Sequence, residues 1–160
     1  MGSVSDLKVM EKAAEFLDSV GVPFEINALS AHRTPEAVEK LARGAAGRGV
    51  KVIIAGAGMA AHLPGVIAAM TPVPVIGVPV RASLDGMDAL LAIVQMPPGI
   101  PVATVGINAA QNAGILAAQI VAQSDEEVMK ELIKYKESLK KKIVQANEEL
   151  KGVKYDYKTN

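Results

Sequence analysis

The residues best equipped for chemistry are His32 and Arg33, side by side in the hexapeptide 30–35, Ser-Ala-His-Arg-Thr-Pro. Histidine changes its protonation state near neutral pH and is therefore suited to moving a proton. Arginine presents a fork of N–H donors that matches a phosphate group. The pair predicts a site that holds an anion and transfers a proton. The alternative interpretation is a surface arginine and a histidine that merely caps its neighbours.

This hexapeptide, which also contains Ser30, joins two predicted elements. Residues 24–29 alternate apolar and polar side chains, which predicts a strand. Thr34 followed by Pro35 is typical of a helix start, with an N-cap and a proline in the first turn, so a helix is expected to run to about Arg48. In an open α/β sheet, ligands bind at the carboxyl ends of strands, which is where this loop would lie.

A second polar loop opens the chain at residues 2–6, Gly-Ser-Val-Ser-Asp. Ser3 and Ser5 offer hydroxyls beside the free amides of a helix N-terminus, and that combination is a ready phosphate site. Asp6 would repel a phosphate, so we expect its carboxylate to accept hydrogen bonds from neutral hydroxyls such as those of a ribose. The alternative is an ordinary N-cap.

A glycine-rich stretch, residues 56–61, follows the apolar run 51–55, which predicts a buried parallel strand. The stretch fits the dinucleotide pattern G-x-G-x-x-A, but no acidic residue stands about 20 positions on, and Pro64 interrupts the next helix. We therefore interpret its glycines as a loop that lets backbone amides approach a small planar group. His62 either contacts that ligand or bonds to the backbone as a structural residue.

The loop 81–86, Arg-Ala-Ser-Leu-Asp-Gly, is the fourth candidate. It can fold over a bound ligand, and the alternative is a plain solvent-exposed loop. Because the four loops are expected at one edge of the sheet, their convergence favours a functional site more than any single motif does.

The order of the predicted elements favours a doubly wound, three-layer αβα sandwich around a parallel sheet. Strands are predicted at 51–55, 73–78 and 102–105, besides the one at 24–29. One strand is missing, because only Met1 precedes the Gly-Ser loop. In the flavodoxin-like order 2-1-3-4-5 it would lie inside the sheet. The other helices are predicted at about 7–20, 60–70, 87–94 and 108–122.

A longer helix is predicted beyond the sandwich. Capping-box spacing at 124–127 opens it, and it is expected to run to about Asn147. We interpret the whole chain, 1–160, as one domain, with an α/β core at 1–122 and this helix at 124–150. A neighbouring subunit is the expected packing partner for its apolar stripe, which consists of Val128, Leu132, Tyr135, Leu139 and Ile143.

Composition excludes several functional classes. A net charge of zero argues against nucleic-acid and membrane partners. The chain has no cysteine, which excludes disulfides and thiolate chemistry, and its two histidines lie too far apart in sequence to predict a metal site. Residues 101–122 are interrupted by polar side chains and do not predict a membrane span. No signal peptide is recognisable, so the cytoplasm is the expected location.

Five motifs together resemble the PurE family of purine biosynthesis. They are Gly2-Ser-x-Ser-Asp6, Ser30-Ala-His-Arg-Thr-Pro35, the glycine stretch continuing into Ala60-Ala-His-Leu-Pro-Gly65, Leu84-x-Gly-x-Asp88, and Val94-Gln-Met-Pro97. The form of these motifs is similar to class I, the N5-carboxyaminoimidazole ribonucleotide mutases. The resemblance implies a flavodoxin-like subunit in a homo-octamer and a reaction that needs no cofactor: no metal, ATP or biotin. It also implies a functional link to an ATP-dependent synthetase of the substrate.

The resemblance further implies roles for individual residues. His32 would be the proton shuttle, and Asp6 would hold the ribose hydroxyls. The 5′-phosphate would be held by Ser3, Ser5, Ser30 and Arg33. The imidazole and its migrating carboxylate would be enclosed by Gly56, Ala57, Gly58, His62, Ser83 and Leu84.

Two other functions remain open at this point. The same site would also suit direct carboxylation of 5-aminoimidazole ribonucleotide with carbon dioxide. A non-catalytic nucleotide sensor of flavodoxin-like shape is the third hypothesis; within that shape, the absence of an acidic residue at 55–56 disfavours a response regulator. Three departures from the family pattern are the missing strand, Met59 in place of glycine, and a loop at 81–85 that is one residue shorter.

Overall fold

The computed structural model describes residues 1–159. The sheet within that range has three strands, β1 (Ile53–Gly58), β2 (Val75–Val80) and β3 (Ala103–Thr104), in the spatial order β1-β2-β3. Both pairings are parallel, with Ile53 opposite Val75. The carboxyl ends of the strands therefore meet at one edge, where ligands bind in sheets of this kind.

Helices cover both faces of the sheet. Those in the described residues are α1 (Leu7–Ser19), α2 (Pro35–Ala45), α3 (Leu63–Ala68), α4 (Met87–Val94), α5 (Ala110–Val121) and α6 (Glu126–Lys151). One apolar cluster packs α1, α5 and the start of α6 against Ile76 and Val78 of β2. A second packs α2, α3 and α4 against Val75 and the alanines of β1. The three-layer sandwich and the long C-terminal helix are thus confirmed.

Both β1 and β2 begin later in the sequence than predicted, at Ile53 and Val75 instead of at residues 51 and 73. β1 begins at Ile53 and extends through Gly58, so the interpretation of Gly56, Ala57 and Gly58 as a loop is wrong. These strand positions are glycine because neighbouring atoms leave no room for a side chain: a Cβ on Gly58 would lie 3.0 Å from the Val80 backbone carbonyl oxygen. β2 likewise covers 75–80 instead of 73–78.

The strand predicted at 24–29 is also wrong, since within the described residues the segment 22–29 forms no strand. Only one residue, Met1, pairs with this segment in the manner of a neighbouring strand. The Met1 amino group donates to the Asn27 carbonyl at 2.9 Å, and the Leu29 amide donates to the Met1 carbonyl at 2.8 Å. One residue supplies one step of a parallel pairing and cannot make a ladder.

Two helix starts differ from their predictions in detail. Thr34 does occupy the N-cap position of α2, but its hydroxyl accepts from the Ser30 amide at 2.9 Å and so closes the preceding loop. The capping box predicted at Ser124 is wrong. Asp125 is the N-cap of α6, because its carboxylate accepts from the Glu127 and Val128 amides, both at 3.1 Å.

The apolar stripe of α6 is covered only at its beginning. Val128 and Leu132 are buried, and Tyr135 packs edge-on against Phe16 with ring centroids 4.9 Å apart. Further along, Leu139 is 42% and Ile143 is 66% exposed. In the range that the structure describes, no helix combines the length and apolar character needed to cross a membrane.

Candidate active site

The loop 2–6, the hexapeptide 30–35 and the end of β1 are held together by hydrogen bonds to the Gly2 backbone. The Gly2 amide donates to the Gly56 carbonyl at 3.1 Å, and the Arg33 guanidinium donates to the Gly2 carbonyl at 3.4 Å. Gly2 therefore joins the loop 2–6 to the hexapeptide through Arg33 and to the end of β1 through Gly56. Both loops lie at the carboxyl edge of the sheet, as the order of elements predicts.

His32 and His62 are in direct contact. Nε2 of His32 lies 2.9 Å from Nδ1 of His62, and the rings meet edge-on with centroids 5.0 Å apart. Such a contact requires one nitrogen to carry a proton and the other to present a lone pair, so the tautomers of the two rings are coupled. His62 is therefore more than a histidine bonded to the backbone: it is a ring partner of the predicted proton shuttle.

Both rings are exposed to solvent, and neither lies on a helix interior. His32 stands in the turn before α2, and His62 is the residue before α3. Their approach depends on α2 and α3 packing side by side on one face of the sheet. The contact thus joins residues 30 positions apart in sequence.

Arg33 is held by Ser30. The Arg33 backbone amide and Nε both donate to the Ser30 hydroxyl, at 3.2 and 3.3 Å. These bonds turn the exposed guanidinium toward Gly2 and the serine loop. The arrangement places a cation, held by two hydrogen bonds of its guanidinium, beside the hydroxyls expected to bind an anion.

The loop 2–6 is organised as a capping box, with Ser3 as the N-cap residue and Asp6 as its partner. The Asp6 carboxylate accepts from the Ser3 amide at 3.1 Å and from the Ser5 hydroxyl at 3.4 Å, while the Ser5 amide donates to the Ser3 hydroxyl at 3.3 Å. The N-cap interpretation is therefore correct for these contacts. They also orient Ser3 and Ser5 at a helix N-terminus, where partial positive charge favours an anion.

Ser83 and Leu84 follow β2 at the same edge of the sheet. The Ser83 hydroxyl donates to the Asp88 carboxylate, whose other oxygen accepts from the Ala89 amide at 2.8 Å. Leu84 is 76% exposed and has a positive φ of 43°. The structure thus places both residues at the predicted edge of the sheet. There the Ser83 hydroxyl contacts the first turn of α4.

The edge also holds a residue that the sequence analysis passed over, Asn108. Its side chain accepts from the Arg81 amide at 2.9 Å, and its own amide donates to the Pro79 carbonyl at 2.8 Å, so it fixes the loop after β2. Asn108 has a positive φ of 57°, and the φ angles of Met59, Leu84 and Asp85 are also positive. These four residues follow the three strands at one edge, and strained backbone of this kind clusters at functional sites.

The signal for Asn108 was present but ambiguous. Asparagine tolerates positive φ better than most residues, yet it also begins many helices, and the sequence analysis placed it at the start of one. The helix α5 begins two residues later, at Ala110. Asp88 ends the motif Leu84-x-Gly-x-Asp88, and its bond to Ser83 depends on the folded geometry of the loop, which the sequence does not show.

Comparison with known proteins gives concordant results. The family model described as AIR carboxylase matches residues 1–142. The chain is 56% identical over 151 residues to the N5-carboxyaminoimidazole ribonucleotide mutase of Methanocaldococcus jannaschii, covering 94% of both chains. It is 52% identical over 156 residues to the protein of the same name from Thermotoga maritima, covering 97% of this chain and 91% of the relative.

A solved structure agrees with these matches. The crystal structure of Treponema denticola PurE superimposes with a TM-score of 0.83 at 30% sequence identity, covering 94% of this chain and 95% of the other. With the family model matching most of its length, the chain belongs to the AIR carboxylase (PurE) family.

Proposed function

We propose that this chain catalyses one step of de novo purine biosynthesis, the interconversion of N5-carboxyaminoimidazole ribonucleotide and 4-carboxy-5-aminoimidazole ribonucleotide. The observation that carries the proposal is the contact of His32 with His62 beside the tethered Arg33. It supplies a proton-transfer group and an anion-binding group at one sheet edge, in a chain whose relatives from two organisms bear the name of this mutase.

The chemistry needs one group that gives and takes a proton. Protonation of the carbamate nitrogen breaks its bond to the carboxylate and releases carbon dioxide, leaving the amine. Ring carbon 4 then attacks the carbon dioxide, a carbon–carbon bond forms, and the proton on that carbon must leave. His32 serves both halves, because the proton it donates to nitrogen is replaced by the one it removes from carbon.

His62 supports this cycle through its contact with His32. When His32 gives up its proton, its ring keeps one N–H and one lone pair, and the hydrogen bond couples their positions to the tautomer of the His62 ring. General acid–base help of this kind is worth about 10²- to 10⁴-fold. The remaining acceleration must come from holding the released gas beside the ring carbon.

We propose that the residues at the carboxyl edge of the sheet bind the phosphate, ribose and imidazole groups of the substrate. Arg33, Ser30, Ser3 and Ser5 bind the 5′-phosphate, and the Asp6 carboxylate accepts from the ribose hydroxyls. The remaining residues enclose the imidazole and its carboxylate: Gly56, Ala57, Gly58, His62, Ser83 and Leu84. Support for the phosphate assignment is the chain of contacts from Ser30 through Arg33 to Gly2.

Direct carboxylation of 5-aminoimidazole ribonucleotide is the second candidate, and the description of the matched family as AIR carboxylase favours keeping it. The two are separated by assaying the purified protein with each substrate. We expect turnover of N5-carboxyaminoimidazole ribonucleotide without added bicarbonate. Turnover only of aminoimidazole ribonucleotide plus bicarbonate would contradict the mutase assignment, and turnover of neither would favour a nucleotide sensor.

We also propose that the chain forms a homo-octamer in the cytoplasm and that α6 packs on a neighbouring subunit. Support comes from the exposed second half of its apolar stripe, Leu139 and Ile143. Light scattering during size-exclusion chromatography measures the assembly, and the paired charge changes Leu139→Glu and Ile143→Glu should dissociate it. A monomeric protein without these substitutions would contradict this proposal.

We propose in addition a functional link to an ATP-dependent synthetase, which would supply the carbamate substrate.

A further inference from the structure

Met59 is a large apolar residue in a backbone conformation that favours glycine. Its φ is 53°, in the left-handed region, where a side chain crowds the following carbonyl oxygen. Glycine would adopt the same conformation without that steric cost. A bulky residue with a positive φ is an outlier, and such outliers cluster at ligand sites and switches.

Packing among residues 1–159 does not offset this cost. Met59 is 60% exposed and belongs to neither of the two apolar clusters that the described residues form. Two residues further on, Ala61 is fully buried, so the same turn is anchored in the core through a smaller side chain. The role of the methionine side chain therefore lies outside the core.

The turn that carries Met59 leads from β1 to His62. The Ala61 amide donates to the Met59 carbonyl, and the His62 amide donates to the Ala60 carbonyl, both at 2.8 Å. Each bond spans only two residues, so the chain turns sharply before it reaches the His62 ring, which contacts His32. Met59 is thus placed between the strand end proposed to enclose the imidazole and the histidine pair proposed to move the proton.

The same turn borders the loop 81–86. Gly58 pairs with Val80 in the parallel register, so the residues after them leave adjacent strands at the same edge. A Cβ on Gly58 would lie 3.3 Å from the Ala82 Cβ, so the two segments approach each other closely. Leu84 in that loop is also a large apolar residue with a positive φ, and it is 76% exposed. Two apolar side chains therefore stand on neighbouring loops at the edge that holds the site.

We propose that Met59 determines whether carbon dioxide is recaptured or lost, because its side chain covers the imidazole end of the site. This inference rests on the proposed function and adds a residue to it. In the stretch 56–61, Gly-Ala-Gly-Met-Ala-Ala, Met59 is the only residue whose side chain extends beyond a methyl group. It is therefore the residue of that stretch that can reach over a ligand. The bond changes and the proton transfer are those given above, and Met59 takes no part in them.

The chemistry of the released gas suits an apolar cover. Carbon dioxide carries no charge, so close van der Waals contact holds it where an ion pair cannot. Methionine is unbranched, flexible and polarisable, so its side chain can follow a ligand that changes from a carbamate to a gas and then to a carboxylate. A cover at this position also excludes water and keeps the intermediate from escaping.

Retention of an isotopic label measures recapture. The carbamate substrate, labelled in its carboxylate, is converted in excess unlabelled bicarbonate, and mass spectrometry at early conversion gives the fraction of product that keeps the label. A reaction without protein corrects for spontaneous loss. In Met59→Gly and Met59→Ala we expect the fraction of label lost to rise at least about threefold over the unsubstituted protein. Met59→Leu keeps the apolar bulk and should stay within about 1.5-fold.

Asp85→Gly is the matched control. Asp85 is exposed at the same edge and has a φ of 54°, so glycine relieves the same conformation without removing an apolar side chain. Its label loss should equal that of the unsubstituted protein. The melting temperature of Met59→Gly should not fall by more than about 2 °C, because Met59 lies outside the core. A larger fall would assign the methionine a structural role and contradict the inference.

Oxidation of Met59 by hydrogen peroxide gives a second measurement that needs no turnover. Aminoimidazole ribonucleotide without bicarbonate has no carboxylate to transfer, so it can occupy the site without reacting. We expect it to slow sulfoxide formation at Met59 at least about threefold, as mass spectrometry of peptides measures. Met129, half-buried on α6, is the internal reference and should be unaffected.

Four results would overturn the inference. Turnover with equal label retention in Met59→Gly would remove the role of Met59 and leave the proposed function intact. Equal oxidation of Met59 with and without the nucleotide would show that it does not cover the ligand. Slow oxidation without nucleotide that speeds up on dilution would place a second copy of the chain over Met59. No turnover of the carbamate by the unsubstituted protein would overturn the proposed function and this inference with it.

Discussion

Removing the His62 ring should lower kcat far less than removing His32, because His62 acts on proton transfer through its contact with His32. Its proposed contact with the imidazole should instead affect KM. The perturbation is His62→Ala, compared with His32→Asn and with the double variant. His62 is exposed, so its removal leaves no cavity in the core. Lys12→Ala, which breaks an exposed ion pair with Glu15 on α1, is the matched surface control.

The magnitudes follow from the contact. One hydrogen bond at 2.9 Å between the two rings contributes about 0.5–1.5 kcal/mol. At about 1.36 kcal/mol per tenfold, this converts to a loss of about 2- to 13-fold in kcat for His62→Ala. Losing the proton shuttle costs about 10²- to 10⁴-fold, which is the expectation for His32→Asn, with binding of the ribonucleotide retained.

The double variant separates positioning from independent action. If His62 works only by orienting His32, the double variant should be no slower than His32→Asn within about twofold, since effects of residues that act as a unit are not additive. Rates are measured by chromatography of the two carboxylated ribonucleotides at saturating substrate. A His62→Ala loss as large as that of His32→Asn, or losses that multiply in the double variant, would refute the reasoning.

Three further predictions use other parts of the structure. Arg33→Lys should raise KM at least about tenfold with a smaller change in kcat, because an ammonium cannot reproduce the bidentate fork. Steady-state kinetics measures both constants, and an unchanged KM would contradict the phosphate-binding role of Arg33. Gly58→Ala should lower the free energy of unfolding in urea by about 1–3 kcal/mol, since its Cβ would lie 3.0 Å from the Val80 oxygen. Stability should rise with pH up to about 8, because burial lowers the pKa of the Met1 amino group and the unfolded chain binds more protons there; N-terminal acetylation should abolish that slope.

The position of the candidate site residues at the sheet edge was easier to predict than the element boundaries, because its signals are local. Thr34-Pro35 fixes where α2 starts, and that start places His32 and Arg33 at the carboxyl edge of the sheet whatever the neighbouring strand does. The beginning of β1 depends instead on β2, since parallel strands are defined by each other's hydrogen bonds. Periodicity within 51–55 contains no information about that register.

The glycines illustrate the same limit from the other direction. In sequence, Gly56 and Gly58 are typical of a loop, because glycine favours turns and weakens strands. In the structure they lie in β1, where Met10 packs against Gly56 and the Val80 backbone approaches Gly58. The close approach of a second element explains the residue type, and that element is distant in sequence. A glycine in a strand can therefore be required by packing against a distant residue. The local sequence pattern cannot distinguish such a glycine from one in a turn.

The segment 22–29 shows why a correct local pattern can still give a wrong element. Its alternation suits a half-buried strand, but strand formation requires a continuous partner on at least one side, and Met1 supplies one residue of it. Phe24 and Ile26 accordingly remain 42% and 55% exposed, although their spacing predicts burial. Propensity is set by residues within the segment, whereas pairing is set by residues beyond it.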